Sequence, residues 1–243
     1  MVDIHSHILP AVDDGARTWE IAEEMCRMAA ADGITHTVAT PHANDEYSYD
    51  RERHAATLAE LQRRVGRSPV LSLGCDFHFS IENIQDAILH PARYTIGSSS
   101  YLLVEFSDFA LSPFLAEALT RLQSVGLMLV VTHPERNLLL QRDPAHILRL
   151  IEQGCVIQVT ASSFTGRFGE SARRTARWLL ERDAVHVLAS DAHDLKNRPP
   201  VLSTGREAVE ELRGAEIAEA LVGENPRAIL EGRPLPFYPE PTA

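Results

Sequence analysis

Near its amino terminus the chain reads DIHSHILPAVDDG, with His5 and His7 two residues apart and Asp13 and Asp14 shortly after. On a strand, side chains two apart leave the same face, so both imidazoles can converge on one cation. The same residue types recur downstream: TPH ends at His42, CDFH holds Asp76 and His78, VEF holds Glu105, THPER holds His133, and SDAH holds Asp191 and His193. Imidazole nitrogen with carboxylate oxygen, and no thiolate, suits Mn²⁺, Fe²⁺, Zn²⁺ or a similar divalent ion. These are more ligands than one ion takes, so two or three ions are expected. Arg136 and Arg198 follow His133 and His193 closely, and their planar forks match phosphate oxygens. The plain alternative for each arginine is an ion pair with a surface carboxylate. Arg167, Arg173 and Arg174 are secondary candidates, the last two as the coat of a helix.

Strands must position these groups. Runs rich in Val, Ile and Leu at Val2–His5, Ile34–Ala39, Val70–Cys75, Tyr101–Phe106, Leu127–Thr132, Cys155–Thr160 and His186–Ala189 read as seven strands. Helical patterns alternate with them at Thr18–Asp32, Asp50–Arg64, Ile81–Leu89, Pro113–Val125, Pro144–Gln153 and Glu170–Arg182. Gly33, Gly126 and Gly154 each close a helix just before a strand. This rhythm predicts a parallel sheet, and seven strands in 243 residues suit a closed or nearly closed βα barrel. Helices at Ser203–Arg213, Glu216–Val222 and Asn225–Glu231 follow, and the proline-rich tail from about residue 233 to 243 is expected to be extended. A single domain over residues 1–243 is the economical reading.

In such barrels chemistry gathers at the carboxyl ends of the strands, and six of the eleven histidines fall there. The others have structural readings. His36 lies inside the second strand as a hydrogen-bonded packing residue. His54, His90 and His146 fall in or beside helices and are expected to be solvated. His186 begins its strand, at the wrong end for chemistry. His78 alternates with Asp76 and can face either way.

A formal charge of −11, from 34 acidic and 23 basic residues, argues against nucleic acid or an anionic membrane as the main partner. It also demands locally placed cations if the substrate carries phosphate. Cys26, Cys75 and Cys155 are odd in number, lack CxxC spacing and read as reduced hydrophobes. No GxGxxG follows a strand. No apolar stretch reaches the roughly 20 residues of a membrane span, and no basic and apolar leader precedes Val2, so a soluble, cytoplasmic protein is expected.

DIHSHILPAVDDG, VATPH, LLVEF, THPER and SDAHDLKNRPP together resemble the polymerase-and-histidinol-phosphatase (PHP) superfamily, and within it the CpsB-type capsular polysaccharide tyrosine-protein phosphatases. The resemblance runs from Asp3 to about Pro200. It implies a distorted TIM-like (β/α)7 barrel of the PHP type with a trinuclear centre, usually of manganese, with Fe²⁺ or Zn²⁺ as alternatives. One ion would take His5, His7, Glu105 and Asp191. A second would take Glu105 as a bridge, His133 and an acidic residue after the third strand, commonly Glu in the family and Asp76 here. A third would take Asp14, His42 and His193. Arg136 and Arg198 match the phosphate-contacting arginines, while Asp13, His78 and Arg167 fall to substrate contact or support.

The reaction implied is direct attack on phosphorus by a water activated between two ions, with no phosphoenzyme. A cysteine-dependent tyrosine phosphatase needs an arginine six residues after its thiolate, where this chain has Asp32, Ile81 and Ala161. The alternatives are a small-molecule phosphatase of the histidinol-phosphate type and a metal-dependent amidohydrolase. Many amidohydrolases bridge their metals with a modified lysine on a middle strand, whereas the single lysine here, Lys196, lies beyond the last strand. By resemblance the substrate is a phosphotyrosine protein, a tyrosine autokinase of polysaccharide synthesis and export; assembly into a homo-oligomer is compatible with the chain.

Overall fold

The computed structural model describes residues 1–108 and 114–241. The first βα unit is β1 (Val2–Ser6) and α1 (Trp19–Ala31), the helix begun by the Thr18 hydroxyl accepting from the Ile21 amide. β2 (His36–Ala39) and β3 (His42–Ala43) precede α2 (Arg51–Val65), which Asp50 caps. β4 (Val70–Leu73) and β5 (Asp76–His78) precede α3 (Ile81–Leu89). Then come β6 (Tyr101–Glu105), α4 (Leu115–Ser124), β7 (Met128–Thr132), α5 (Ala145–Glu152), β8 (Val156–Thr160), α6 (Gly169–Glu181) and β9 (Val187–Ala189). Helices α7 (Ser203–Arg213), α8 (Ala215–Glu219) and α9 (Asn225–Leu230) finish the chain, with one π-turn at Ala220–Glu224 where the sequence suggests continuous helix. Pro113, the expected start of the fourth helix, lies outside the described residues, as do residues 242 and 243 of the tail.

Every strand pairing is parallel, in the orders β1-β2-β4 and β3-β5-β6-β7-β8-β9. The seven expected strands are all present, and the second and third are each followed, after a break, by a short further strand that was not expected. Pro41 has no N–H for the ladder, which ends β2. Gly74 divides β4 from β5, and a Cβ there would come within 3.1 Å of the Ile96 and Val38 side chains. The two breaks lie side by side, with Gly74 N donating to Ala39 O and Asp76 N to Pro41 O. His42 and Asp76 are thereby turned onto short strands of their own. At the other seam the Ser6–Ala192 bridge and the His7 N–Ala192 O and Asp191 N–His5 O bonds bring β1 against the segment after β9. The result is a distorted TIM-like (β/α)7 barrel.

Alternation within the strands separates an inner core from an outer one. Tyr101 and Leu103 of β6 join an inner cluster with Val38, Val130, Val156 and Val187, while Leu102 and Val104 pack outward with Leu119 and Leu122 of α4. By the same parity Glu105 ends β6 on the inner face, and Gln158 follows Val156 there.

The histidines outside the site are mostly placed as expected. His36 Nε2 bonds the Ser72 hydroxyl at 2.8 Å, and His186 is buried before β9. His54 is not solvated: it is buried against the Tyr49 ring, 5.0 Å between centroids. It lies seven residues before buried Leu61, on the same face of α2, and that face meets the body of the fold. Residues 233–241 form no helix or strand, yet they are tied down. Tyr101 Oη donates to Arg233 O, Tyr238 Oη to Cys155 O, and Asn225 brackets Phe237 with two bonds. Among the described residues no helix is long and apolar enough to cross a membrane.

Candidate metal centre

The carboxyl ends of the strands carry the polar constellation. His5 comes from β1, His7 directly follows it, Asp13 and Asp14 lie in the loop beyond, His42 comes from β3, Asp76 and His78 from β5 and Glu105 from β6. His133 and Arg136 follow β7, and Asp191, His193 and Arg198 follow β9. His133 (φ 34°) and Asp191 (φ 50°) hold left-handed backbone, costly for residues with a Cβ and concentrated at functional sites. The loop after β1 folds back onto the strand: Ala16 N donates to His7 O, and a Cβ on Gly15 would lie 2.0 Å from that oxygen.

Four overlapping groups form, each with donor atoms within 4.8 Å of one another: His7–Asp14–His42–His193, His5–His7–Asp76, His5–His133–Asp191 and His42–Asp76–Glu105. His5, His7, His42 and Asp76 each belong to two of them. All nine residues expected as ligands are thus brought together, though Asp76 joins His5, His7 and His42 rather than His133. The Nε2 atoms of His5 and His7 are 3.2 Å apart. Asp14 Oδ1 stands 3.3 Å from both His42 Nε2 and His193 Nε2, and Asp191 Oδ1 lies 3.3 Å from His5 Nε2 and 3.4 Å from His7 Nε2. His78 turns to the rim of the site, its Nδ1 3.7 Å from Glu105 Oε2.

Burial and charge pull the protonation states apart. Burial alone would lower His5, but the carboxylates of Asp191 and Asp76 outweigh it and raise its pKa to about 9. Burial is likewise outweighed at His42, where Asp14 and Asp76 lift the pKa to about 11. His193 falls to about 4 through burial and the nearby His7, and burial with the charge of Arg136 holds His133 well below its ordinary value. For Asp76 and Asp191 burial pushes upward and loses. The imidazoles of His5 and His42 keep Asp76 ionised, and Arg136, His5 and Arg198 keep Asp191 ionised.

These residues fit divalent ions. Both oxygens of Asp76, Oδ1 of Asp191 and Nδ1 of His42 are buried without a hydrogen bond among the described residues. Buried carboxylate oxygens left so are costly unless a cation faces them. Thiolate chemistry has no counterpart here. Cys26, Cys75 and Cys155 are free and buried, and burial raises Cys26 and Cys155 to about 12 and Cys75 well above its ordinary value.

Several supporting residues escape a reading of the sequence alone. Gln158 Oε1 is 2.9 Å from His5 Nδ1, turning the other ring nitrogen to the site. Asp13, which the sequence already marks for support, does the same for His7 at 2.9 Å and also accepts from the Gly15 and His42 amides. Buried Glu135 accepts from Thr160 N and the Ser163 hydroxyl, linking the β7 and β8 ends beneath Arg136. Buried Asp3 accepts from Ser190 N and its hydroxyl, tying β1 to the β9 end. A polar residue at an inner position of an apolar strand, as in VIQVT, is the signal that finds Gln158. Arg136 and Arg198 both donate to Asp191 Oδ2 and lie over the Phe168 ring, with Cζ 4.2 and 6.0 Å from its centroid. Arg167 bonds the carbonyls of Lys196 and Asn197, bracing the loop that carries Arg198, and Arg173 pairs with Glu170 on the surface of α6.

A parallel-strand barrel with overlapping histidine–carboxylate groups at its strand ends defines, as a class, a metal-binding βα-barrel protein. The chain belongs to the capsular polysaccharide synthesis CpsB/CapC family, whose model matches residues 1–231. It is 33% identical over 203 residues to the tyrosine-protein phosphatase YwqE of Bacillus subtilis, covering 82% of this chain and 79% of that one. It is 28% identical over 239 residues to the tyrosine-protein phosphatase CpsB of Streptococcus pneumoniae, covering 95% and 98%. Among solved structures it superposes with a TM-score of 0.92 and 30% identity, over the whole of both chains, on one from the crystal structures of YwqE from Bacillus subtilis and CpsB from Streptococcus pneumoniae, described as unique metal-dependent tyrosine phosphatases.

Proposed function

We propose that this chain is a metal-dependent protein-tyrosine phosphatase of capsule or exopolysaccharide synthesis. One catalytic domain spanning residues 1–243 acts in the cytoplasm on a phosphotyrosine protein, a tyrosine autokinase. The observation that carries this reading is the convergence of nine nitrogen and oxygen ligands from separate strand ends with two guanidinium groups among them. Family membership and the whole-chain likeness to metal-dependent tyrosine phosphatases support it.

Three divalent ions suit the donor set, Mn²⁺ first, with Fe²⁺ or Zn²⁺ as alternatives. His7, Asp14, His42 and His193 would hold one, His5, His133 and Asp191 another, and Asp76 with Glu105 the third. When bound, such ions acidify water near neutral pH and draw charge from phosphoryl oxygens. The protein's own side chains do the rest. Arg136 and Arg198 grip the equatorial oxygens as charge spreads over them, held toward one point by Asp191 and Phe168. Asp13 and Gln158 fix the ring orientations of His7 and His5. No side-chain nucleophile is required.

Purified protein supplied with Mn²⁺ is expected to hydrolyse para-nitrophenyl phosphate and a phosphotyrosine peptide, and EDTA to abolish both activities. Strong preference for histidinol phosphate would overturn the protein-tyrosine assignment. Cleavage of a cyclic amide without phosphoester hydrolysis would overturn the class.

A further inference from the structure

A cavity of about 350 Å³ opens beside the ligand cluster, on the side of α1 and the loop after β9. Asp14 and His193 line it, and so belong both to the cavity and to the candidate metal centre. Ile21 and Leu195 add apolar surface, and Arg17 and Lys196 contribute two cations from opposite elements.

The charges around this cavity are unevenly satisfied. The Asp14 carboxylate lies between His42 and His193, and Asp194, the other acid there, accepts from the amides of Lys196, Asn197 and Arg198. Both acids are engaged. The Arg17 guanidinium and the Lys196 ammonium make no ion pair or hydrogen bond among the described residues, although acids outnumber bases by 34 to 23 along the chain. Lys196 is the only lysine in the sequence. Its backbone is held by Asp194 from within the loop and by Arg167 from across it, at 2.9 Å to the Lys196 carbonyl. The same short, braced loop carries Arg198 toward Asp191. The backbone from which the Lys196 side chain springs is therefore fixed relative to the phosphate-gripping arginine, which confines the cation to this side of the cavity.

We infer that this cavity is a specificity subsite for an anionic residue, carboxylate or phosphate, flanking the phosphotyrosine of a polypeptide substrate. The inference rests on the phosphatase reading above. A phosphoryl group at the metal centre leaves the neighbouring substrate residue beside Asp14 and His193, where two free cations meet it and apolar surface takes its stem.

Three phosphotyrosine peptides differing only next to the phosphotyrosine test this: one flanked by alanine, one by glutamate and one by a second phosphorylated residue. Para-nitrophenyl phosphate, which carries no flanking group, reports the basal reaction. The Mn²⁺-loaded protein should favour either anionic peptide over the alanine peptide in kcat/KM by about fivefold, the scale of two exposed ion pairs. In the double variant Arg17→Ala, Lys196→Ala this ratio, read within one enzyme, should fall to near one. Arg17→Glu, Lys196→Glu should invert it toward a lysine-flanked peptide, an outcome that a misfolded variant cannot mimic. Preference for the phosphorylated flank alone, or for the glutamate flank alone, would identify which anion the subsite takes. Equal use of anionic and alanine peptides by the unaltered protein, or a ratio unchanged in both variants, overturns the subsite and leaves the phosphatase standing. No hydrolysis of para-nitrophenyl phosphate or of any peptide overturns both.

Discussion

Arg136 and Arg198 meet on a single atom: each donates to Oδ2 of Asp191, one from the turn after β7 and the other from the loop after β9. Two guanidinium groups so close repel each other, and two features hold them. The buried Asp191 carboxylate supplies the counter-charge, and the Phe168 ring offers its face to both. The arginines are thus arranged before any substrate arrives, which is what electrostatic catalysis of phosphoryl transfer requires.

Removing one arginine separates grip from metal binding. Arg136→Ala is expected to keep its metal content, measured by inductively coupled plasma mass spectrometry, and to lose about a hundredfold in kcat. Phe168→Leu keeps apolar bulk but removes the ring face, so a smaller loss is expected, about three- to tenfold for one or two weakened cation–π contacts. Phe168→Tyr should restore the rate. Depleted metal in either loss variant would place that residue's role at the ligands instead.

Asp13 is the partner of His7 and, among the described residues, touches no other imidazole at comparable range. Its charge holds the proton on Nδ1 and turns Nε2 toward the ligand cluster. Asp13→Asn is expected to weaken Mn²⁺ binding by about ten- to a hundredfold. A metal titration monitored by activity should therefore shift its midpoint while recovering much of the maximal rate. An unchanged midpoint would show that His7 needs no such partner.

The buried thiols lead to a plain chemical expectation. With Cys26 and Cys155 raised to about 12 and Cys75 well above its ordinary value, little thiolate exists at neutral pH. Native protein treated with iodoacetamide should retain its phosphatase activity, with intact-mass spectrometry reporting no alkylation. Inactivation in step with a single alkylation would contradict a thiol-independent reaction.

His186 governs part of the acid stability. Burial lowers its pKa to about 4 from an ordinary 6.5; Nδ1 accepts from the Ile157 amide and the Tyr238 ring lies 4.4 Å away. The unfolded chain therefore binds a proton that the folded chain refuses. The stabilisation is complete above about pH 6.5 and is lost as pH falls toward 4. Between pH 7 and pH 5 this group alone should cost about 2 kcal/mol. His186→Asn, which keeps an acceptor for the Ile157 amide, should flatten the pH dependence by that amount in urea denaturation. A parallel offset between the two proteins would exclude the titration.

Much of the site is legible from the order of residues because strand ends are legible. Apolar runs close on HSH, PH, CDFH, VEF, TH and SDAH, and a parallel barrel puts all such ends on one face. The ligand types are therefore visible in the order of residues alone. Supporting residues are harder to see. Asp3, Glu135 and Gln158 sit among ordinary strand and turn residues, and their partners are far along the chain: Ser190, Thr160 and His5. His54, expected at the solvent, is buried for a related reason, since exposure depends on which face of α2 meets the body of the fold.

By itself the sequence determined the alternation of strands and helices, the thiol-free donor set and the strand each ligand rides on, because local periodicity and side-chain chemistry need no partner. Only the tertiary structure decided which ligands share a neighbourhood. The breaks at Pro41 and Gly74 turn His42 and Asp76 onto short strands and group Asp76 with His5, His7, His42 and Glu105, while His133 groups with His5 and Asp191. The seam at Ser6 and Ala192 delivers Asp191 and His193 to the first strand. Distances between strand ends are set by how the sheets curve and meet, a property of all their strands at once.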